Sequence, residues 1–156
     1  MANTRTLLVI HHSQTGSTRR MADAVLRGAN SDLIEGVEVC ELDALEADES
    51  DVLRADAIII GTPENFGYMS GAIKYFLDRV YYPCLDQVDG KPYALFVSAG
   101  NDGSGAISSL RRILSGLSLR EVQEPVLAVG ELSDAHLADC EELGMTLAAG
   151  LEQGIF

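Results

Sequence analysis

Thr6-Leu7-Leu8-Val9-Ile10-His11-His12-Ser13-Gln14-Thr15-Gly16-Ser17-Thr18 carries a short apolar run into a turn rich in hydroxyls. Four buried-type residues in succession, Leu7 to Ile10, suit a central parallel strand covered on both faces better than a half-exposed hairpin strand. Beyond the turn, Met21, Val25 and Ala29 recur every four residues, while Arg20, Asp23, Arg27 and Asn30 fall elsewhere on the wheel. That pattern predicts a helix packed back on the strand, with its N-terminus aimed at the turn. Unpaired backbone N–H groups and the positive end of the helix dipole can hold a phosphate there. Hydroxyls of Ser13, Thr15, Ser17 and Thr18 add donors, Gly16 lets the backbone approach closely, and Gln14 completes the stretch. No lysine is required. An ordinary Ser/Thr cap between strand and helix is the alternative reading of the same residues.

The rest of the chain is read against that start. Its 156 residues fit one domain, 1–156, with enough apolar content (47%) for a proper core. Apolar runs stop far short of the ~20 residues that span a bilayer, and the first residues lead straight into the strand without a leader-like apolar region, so a cytoplasmic protein is expected. Cys40, Cys84 and Cys140 are odd in number and lack any Cys-x-x-Cys pair, which supports neither a disulfide framework nor a zinc site. A net charge of −13 argues against nucleic acid and anionic membranes as partners. Acidic residues crowd between Glu35 and Asp56, either as a solvated surface or as a docking face for a basic redox protein.

In chain order, Val37 to Leu42 reads as an edge strand because of its two glutamates, and Glu46 to Arg54 as a short acidic helix or turn. Ala55 to Gly61 reads as a buried third strand that Gly61-Thr62-Pro63 stops, since proline lacks a ladder donor. After the loop Thr62 to Met69, Ile73, Phe76, Leu77 and Val80 give a helix one apolar face. The tail Val80 to Leu85 is core, a subunit interface or part of a lid. Tyr93 to Val97 is the fourth strand, followed by a loop from Ser98 to Gly105 in which glycines mark a sharp turn or a close approach. A helix through Leu110 and Leu114, a fifth strand at Pro125 to Val129, and a last helix opening at Ser133 complete an unbroken alternation. Such alternation predicts a doubly wound five-stranded parallel α/β sheet with right-handed crossovers.

Two stretches carry a resemblance. Ser13-x-Thr15-Gly16-x-Thr18 after a first strand resembles the FMN-phosphate loop of the flavodoxin superfamily. Gly61-Thr-Pro-Glu-Asn-Phe-Gly-Tyr-Met-Ser-Gly-Ala-Ile-Lys-Tyr-Phe-Leu-Asp-Arg79 is similar to the second flavin loop and helix of flavodoxin-like NAD(P)H:quinone and FMN reductases. The resemblance implies FMN as cofactor and a strand order of 2-1-3-4-5. It also implies that Pro63, Glu64, Asn65, Phe66 and Gly67 lie along the flavin, with Phe66 or Tyr68 over a ring face. By the same resemblance Ser98, Ala99, Gly100, Asn101, Asp102 and Gly103 form a third flavin loop. In that topology the three loops follow strands one, three and four and share one rim, where ligands of such sheets collect.

Other chemistries lack their residues. A response regulator needs acids after the first strand, a P-loop needs Gly-x-x-x-x-Gly-Lys-Ser/Thr, and a dinucleotide site needs Gly-x-Gly-x-x-Gly there. A Cys-x5-Arg phosphatase loop is absent, and adjacent His11 and His12 point to opposite faces, poorly placed to share a metal. Three functions stay open: an NAD(P)H-dependent oxidoreductase passing electrons through FMN to a quinone or similar acceptor, a flavodoxin-type carrier, and a flavin-free binding module. The loop Ser98 to Gly105 has no aromatic residue, so one ring face is expected to stay open or to be covered by a second copy in a homodimer.

Overall fold

A computed structural model describes residues 3–156. The strand read from the opening stretch is β1, Arg5–His11, and Leu7 to Ile10 are at most 1% exposed. It pairs in parallel with β2 (Val37–Asp43) on one side and β3 (Ala57–Asn65) on the other. β3 pairs in parallel with β5 (Pro92–Ala99), and β5 in turn with β6 (Arg120–Glu121) and β7 (Val126–Val129). The main strands therefore follow the expected order. The sheet has seven strands rather than five, because two pieces of two residues were not anticipated.

Both extra pieces have a local cause. On the far edge, Tyr93 faces Glu121 but Phe96 faces Val126, so the edge chain carries two more residues than β5 over that interval and breaks into β6 and β7. Pro125, which has no N–H to offer the ladder, falls in the break. The other piece is β4 (Tyr68–Met69), which turns back antiparallel on the end of β3, pairing Glu64 with Met69 and Asn65 with Tyr68. Here the expectation that Gly61-Thr62-Pro63 ends the strand is corrected, since β3 runs on through Asn65. Gly61 turns its carbonyl toward His12 on the β1 side, and Pro63, two residues on, faces the same way. β1 pairs no further than Gly61, so the donor that Pro63 lacks is not needed.

Alternate residues of each central strand feed two cores. Leu7, Val9, Ile59 and Phe96 pack under α1 (Ser17–Ala29) and α5 (Asp134–Glu152). Leu8, Ile10, Ile60 and Leu95 pack under α2 (Glu49–Arg54), α3 (Gly71–Cys84) and α4 (Ser104–Gly116). The aromatic tail of α3 divides. Val80 and Cys84 are core, Tyr81 packs partly against it, and Tyr82 is 80% exposed.

α1 and α5 approach closely through two glycines. A Cβ on Gly28 would overlap the carbonyl oxygen of Glu141, and one on Gly144 would overlap that of Val25. Exposed helical glycines gain about 1 kcal/mol on replacement by alanine. At Gly144 the sign reverses, because backbone on α1 must move. Gly144→Ala is expected to destabilise the protein by about 1–3 kcal/mol, read as a lower urea midpoint with unchanged slope.

Candidate functional site

The carboxyl ends of the main strands form one rim, and the loops after β1, β3 and β5 meet there around a cleft of about 240 Å³. It is lined by Gln14, Thr15, Ser17, Pro63, Glu64, Asn65, Ser98, Ala99, Gly100 and Gly130. Nine of these ten belong to the three loops anticipated from the sequence. Gly130 was missed. It follows β7, donates its N–H to the Ala99 carbonyl at 2.8 Å, and was legible only as a glycine ending another strand at the same rim.

The first loop folds around its own hydroxyl. Ser13 Oγ accepts from the N–H of Gly16 at 3.1 Å and of Arg19 at 3.2 Å, so Ser13 braces the loop from within instead of lining the cleft. Gly16 caps α1 with a left-handed φ of 102°, makes no side-chain cap, and a Cβ there would meet only open space. A side chain at that φ would be strained. Thr18 is buried and shares a 2.9 Å hydrogen bond with Ser98, tying the first loop to the end of β5. Asn65 Nδ2 donates to Gln14 Oε1 at 2.9 Å across the cleft. With the Arg19 N–H taken by Ser13 Oγ, the N–H groups of Ser17 and Thr18 at the start of α1 are left with no preceding turn to accept from them, and Thr15 and Ser17 line the cleft. This donor set, uncharged and amide-rich, fits a phosphate ester at a helix start.

Glu64 does something the sequence did not show. Oε1 accepts from Gly103 N–H at 2.9 Å and Oε2 from Ala106 N–H at 3.1 Å, so a strand residue caps the start of α4. Gly103 has a left-handed φ and no side-chain cap of its own. Ser109 Oγ accepts from Met69 N–H at 3.3 Å, and Gly105 packs directly on the Gly67 carbonyl. The β3–β4 hairpin is thus bolted along α4. Its two-residue tip, Phe66 and Gly67, has φ of 54° and 71°, the primed geometry that matches strand twist, and Phe66 is fully exposed. Asn101 and Asp102 are exposed outside the cleft, where Asp102 accepts from the Ser104 hydroxyl at 2.7 Å.

Beside the first loop lies a charged cluster that also escaped sequence reading. His11 is 4% exposed, with Nε2 3.4 Å from Arg19 Nη1 and 3.5 Å from Glu41 Oε2. Arg19 reaches Glu41 and Asp23 as well. Burial pushes the His11 imidazolium pKa below its ordinary value. Glu41 works against that shift and Arg19 adds to it. Among the described residues no group of His, Cys, Asp or Glu is placed to hold a metal ion.

This is a flavodoxin-like α/β domain with a polar, amide-lined cleft at the carboxyl rim of its sheet. The chain belongs to the NADPH-dependent FMN reductase family, whose model matches residues 6–134. FMN is the cofactor of this flavodoxin-like family, as the loops implied. A flavodoxin of Aquifex aeolicus (strain VF5) is 39% identical over 71% of the chain and 59% of its own length. The chain thus spans about six-tenths of that relative. An NAD(P)H dehydrogenase (quinone) of Geotalea daltonii is 31% identical over 94% of the chain and 84% of the relative. The solved structure of an archaeal flavodoxin superposes with a TM-score of 0.81 at 22% identity, covering 94% and 98% of the two chains. No helix among the described residues is long and apolar enough to cross a membrane.

Glu64→Ala is expected to release the hairpin from α4 and cost about 1.5–3 kcal/mol, the usual worth of hydrogen bonds to a charged group. Chemical denaturation measures the loss, and hydrogen exchange should place the new opening at residues 64–69 and the first turn of α4. Glu64→Gln, which keeps an acceptor, should lose less.

Proposed function

We propose that this protein binds FMN in the cleft between the three loops and works as an NAD(P)H-dependent oxidoreductase. The donor set at the start of α1 fits the FMN phosphate: Thr15 and Ser17 hydroxyls and the first amides of the helix hold it, while Gly16 keeps the approach clear. Pro63 to Asn65 and Ser98 to Gly100 line the rest of the cleft, where the ring system would lie. Held there, FMN would supply two-electron chemistry between a reduced nicotinamide and an acceptor such as a quinone.

One observation carries the enzymatic reading: no aromatic side chain lines the cleft. Phe66 stands clear at the hairpin tip, and Tyr68 faces a different groove. A nicotinamide must stack on the flavin face, and a cleft walled by Ser98, Ala99, Gly100 and Gly130 leaves room that a covering aromatic would fill. A second reading, an electron carrier for a basic protein, is favoured by the net charge of −13 and by the flavodoxin relative.

Purified protein is expected to release FMN and not FAD on denaturation. Thr15→Ala should weaken FMN binding roughly tenfold to a hundredfold, the loss of one hydrogen bond to a charged group, measured by titrating the apo-protein with FMN. Unchanged affinity would move the phosphate away from this loop.

Anaerobic addition of NADPH or NADH should reduce the bound FMN, followed by its reoxidation on adding a quinone, both read from the visible flavin absorbance. FMN that stays oxidised under either nucleotide, yet is reduced by a separate flavodoxin reductase, would establish the carrier instead.

A further inference from the structure

His11 ends β1 at the carboxyl rim, two residues before Ser13, and is 4% exposed. Among the described residues no other histidine, carboxylate or basic side chain is buried as deeply. Its Nε2 stands 3.4 Å from Arg19 Nη1 and 3.5 Å from Glu41 Oε2. Those two neighbours make opposite demands on one atom. A guanidinium can only donate, so the Arg19 contact needs a bare Nε2, whereas an ionised carboxylate can only accept, so the Glu41 contact needs a proton there. Both cannot be met at once. As it stands, Nδ1 of His11 and Oε2 of Glu41 are buried without a hydrogen-bond partner among the described residues. The cluster is one proton short of pairing that carboxylate oxygen.

Few charges act on the ring. Glu41 and Asp43 come from β2 and Arg19 from α1, with Asp23 behind Arg19, while β3 places Gly61 opposite His11 and brings no charge. Burial lowers the imidazolium pKa, Glu41 and Asp43 oppose that shift, and Arg19 adds to it. The cluster is also tied to the first loop. Arg19 is the third residue of α1, and its N–H donates to the same Ser13 Oγ that accepts from Gly16. A phosphate held at the start of α1 brings negative charge to a loop, His12 to Thr18, that contains no lysine or arginine. A buried imidazole feels that charge with little screening by salt, and a negative neighbour favours the protonated ring.

We propose that His11 is a proton-linked positioning residue for the FMN phosphate: when the phosphate occupies the start of α1, His11 takes up one proton from solvent at Nε2 and hydrogen-bonds through it to Glu41 Oε2. Arg19 Nη1 then faces a like charge and leaves the ring, while Nη2 keeps Asp23 at 3.0 Å. The inference rests on the placement of FMN in the cleft and adds a coupling of its binding to pH. With FMN bound, His11 holds more protons than without it, so this group strengthens binding as the pH falls into the imidazole range. The second ionisation of a phosphate ester, near pH ~6, acts in the opposite sense on the ligand. That contribution cancels when wild type and variant are compared at one pH.

The test is a proton-NMR titration of the three histidines with and without saturating FMN, assigned through His12→Gln and His136→Gln. The His11 midpoint should lie at least about 0.5 pH units higher with FMN bound, and riboflavin, which lacks the phosphate, should leave it unmoved. This measurement needs no variant at position 11, so it stands even where His11→Gln does not fold. FMN affinity, titrated at about pH 8 and about pH 5.5, gives the second readout. The ratio of wild-type to His11→Gln affinity should rise roughly threefold to tenfold at the lower pH, since a midpoint moved by one pH unit is about a tenfold change in affinity. A His11 midpoint that FMN does not raise, a rise that riboflavin reproduces, or an affinity ratio independent of pH overturns the proposal. The cleft reading fails separately. FMN affinity unchanged in Thr15→Ala moves the phosphate off this loop and takes the inference with it, whereas affinity that drops in Thr15→Ala while His11 ignores FMN keeps the cleft and removes the proton linkage.

Discussion

Burial of β1 on both faces and along both edges is the constraint on which the structure depends. Leu7 to Ile10 alternate into two cores, and the backbone is spent on β2 and β3, so nothing from Leu7 to Ile10 can meet water or a ligand. Its carboxyl end is the place where polar groups become available. The chain must leave there and return as a helix, which puts the unpaired amides of α1 at the same point. Because every main strand runs parallel to β1, the loops after β3, β5 and β7 are carried to the same rim. The cleft is the consequence of one strand having no other free surface.

The hairpin after β3 shows how the site is kept stiff without aromatic packing. Glu64 uses both carboxylate oxygens on the amides of α4, a helix whose own cap residue is a glycine with no side chain to offer. With Ser109 holding Met69 and Gly105 seated on Gly67, the strand end and the helix start form one rigid piece. A carboxylate at the cleft wall adds negative charge to the site proposed for a phosphorylated cofactor. The geometry offsets this by directing the carboxylate oxygens toward helix amides, where the dipole favours negative charge.

Electrostatics follow the same economy. The phosphate-type loop contributes hydroxyls and amides, and Arg19 at its edge is committed to Glu41 and Asp23. Burial pushes the pKa of His11, beside the first loop, below its ordinary value.

Much of this was legible in local sequence. Apolar runs and helical periodicity announced the alternation of strands and helices, and the hydroxyl-rich turn with Gly16 announced the loop at α1, because burial on two faces and a phosphate-type turn both impose composition on adjacent residues. The motif from Gly61 to Arg79 pointed to the family. The sequence did not disclose that β3 continues past Pro63, since that depends on where β1 stops. Nor did it disclose that Glu64 caps α4 from 39 and 42 residues away. The same holds for Thr18 meeting Ser98, and for Gly28 and Gly144 letting two helices touch. Local sequence determined which elements form and which loops are polar, because propensity and patterning act over a few residues. Tertiary structure alone decided which side chains bind one another and which face open space, because hydrogen bonds and close contacts between distant segments exist only once the sheet has brought those segments together.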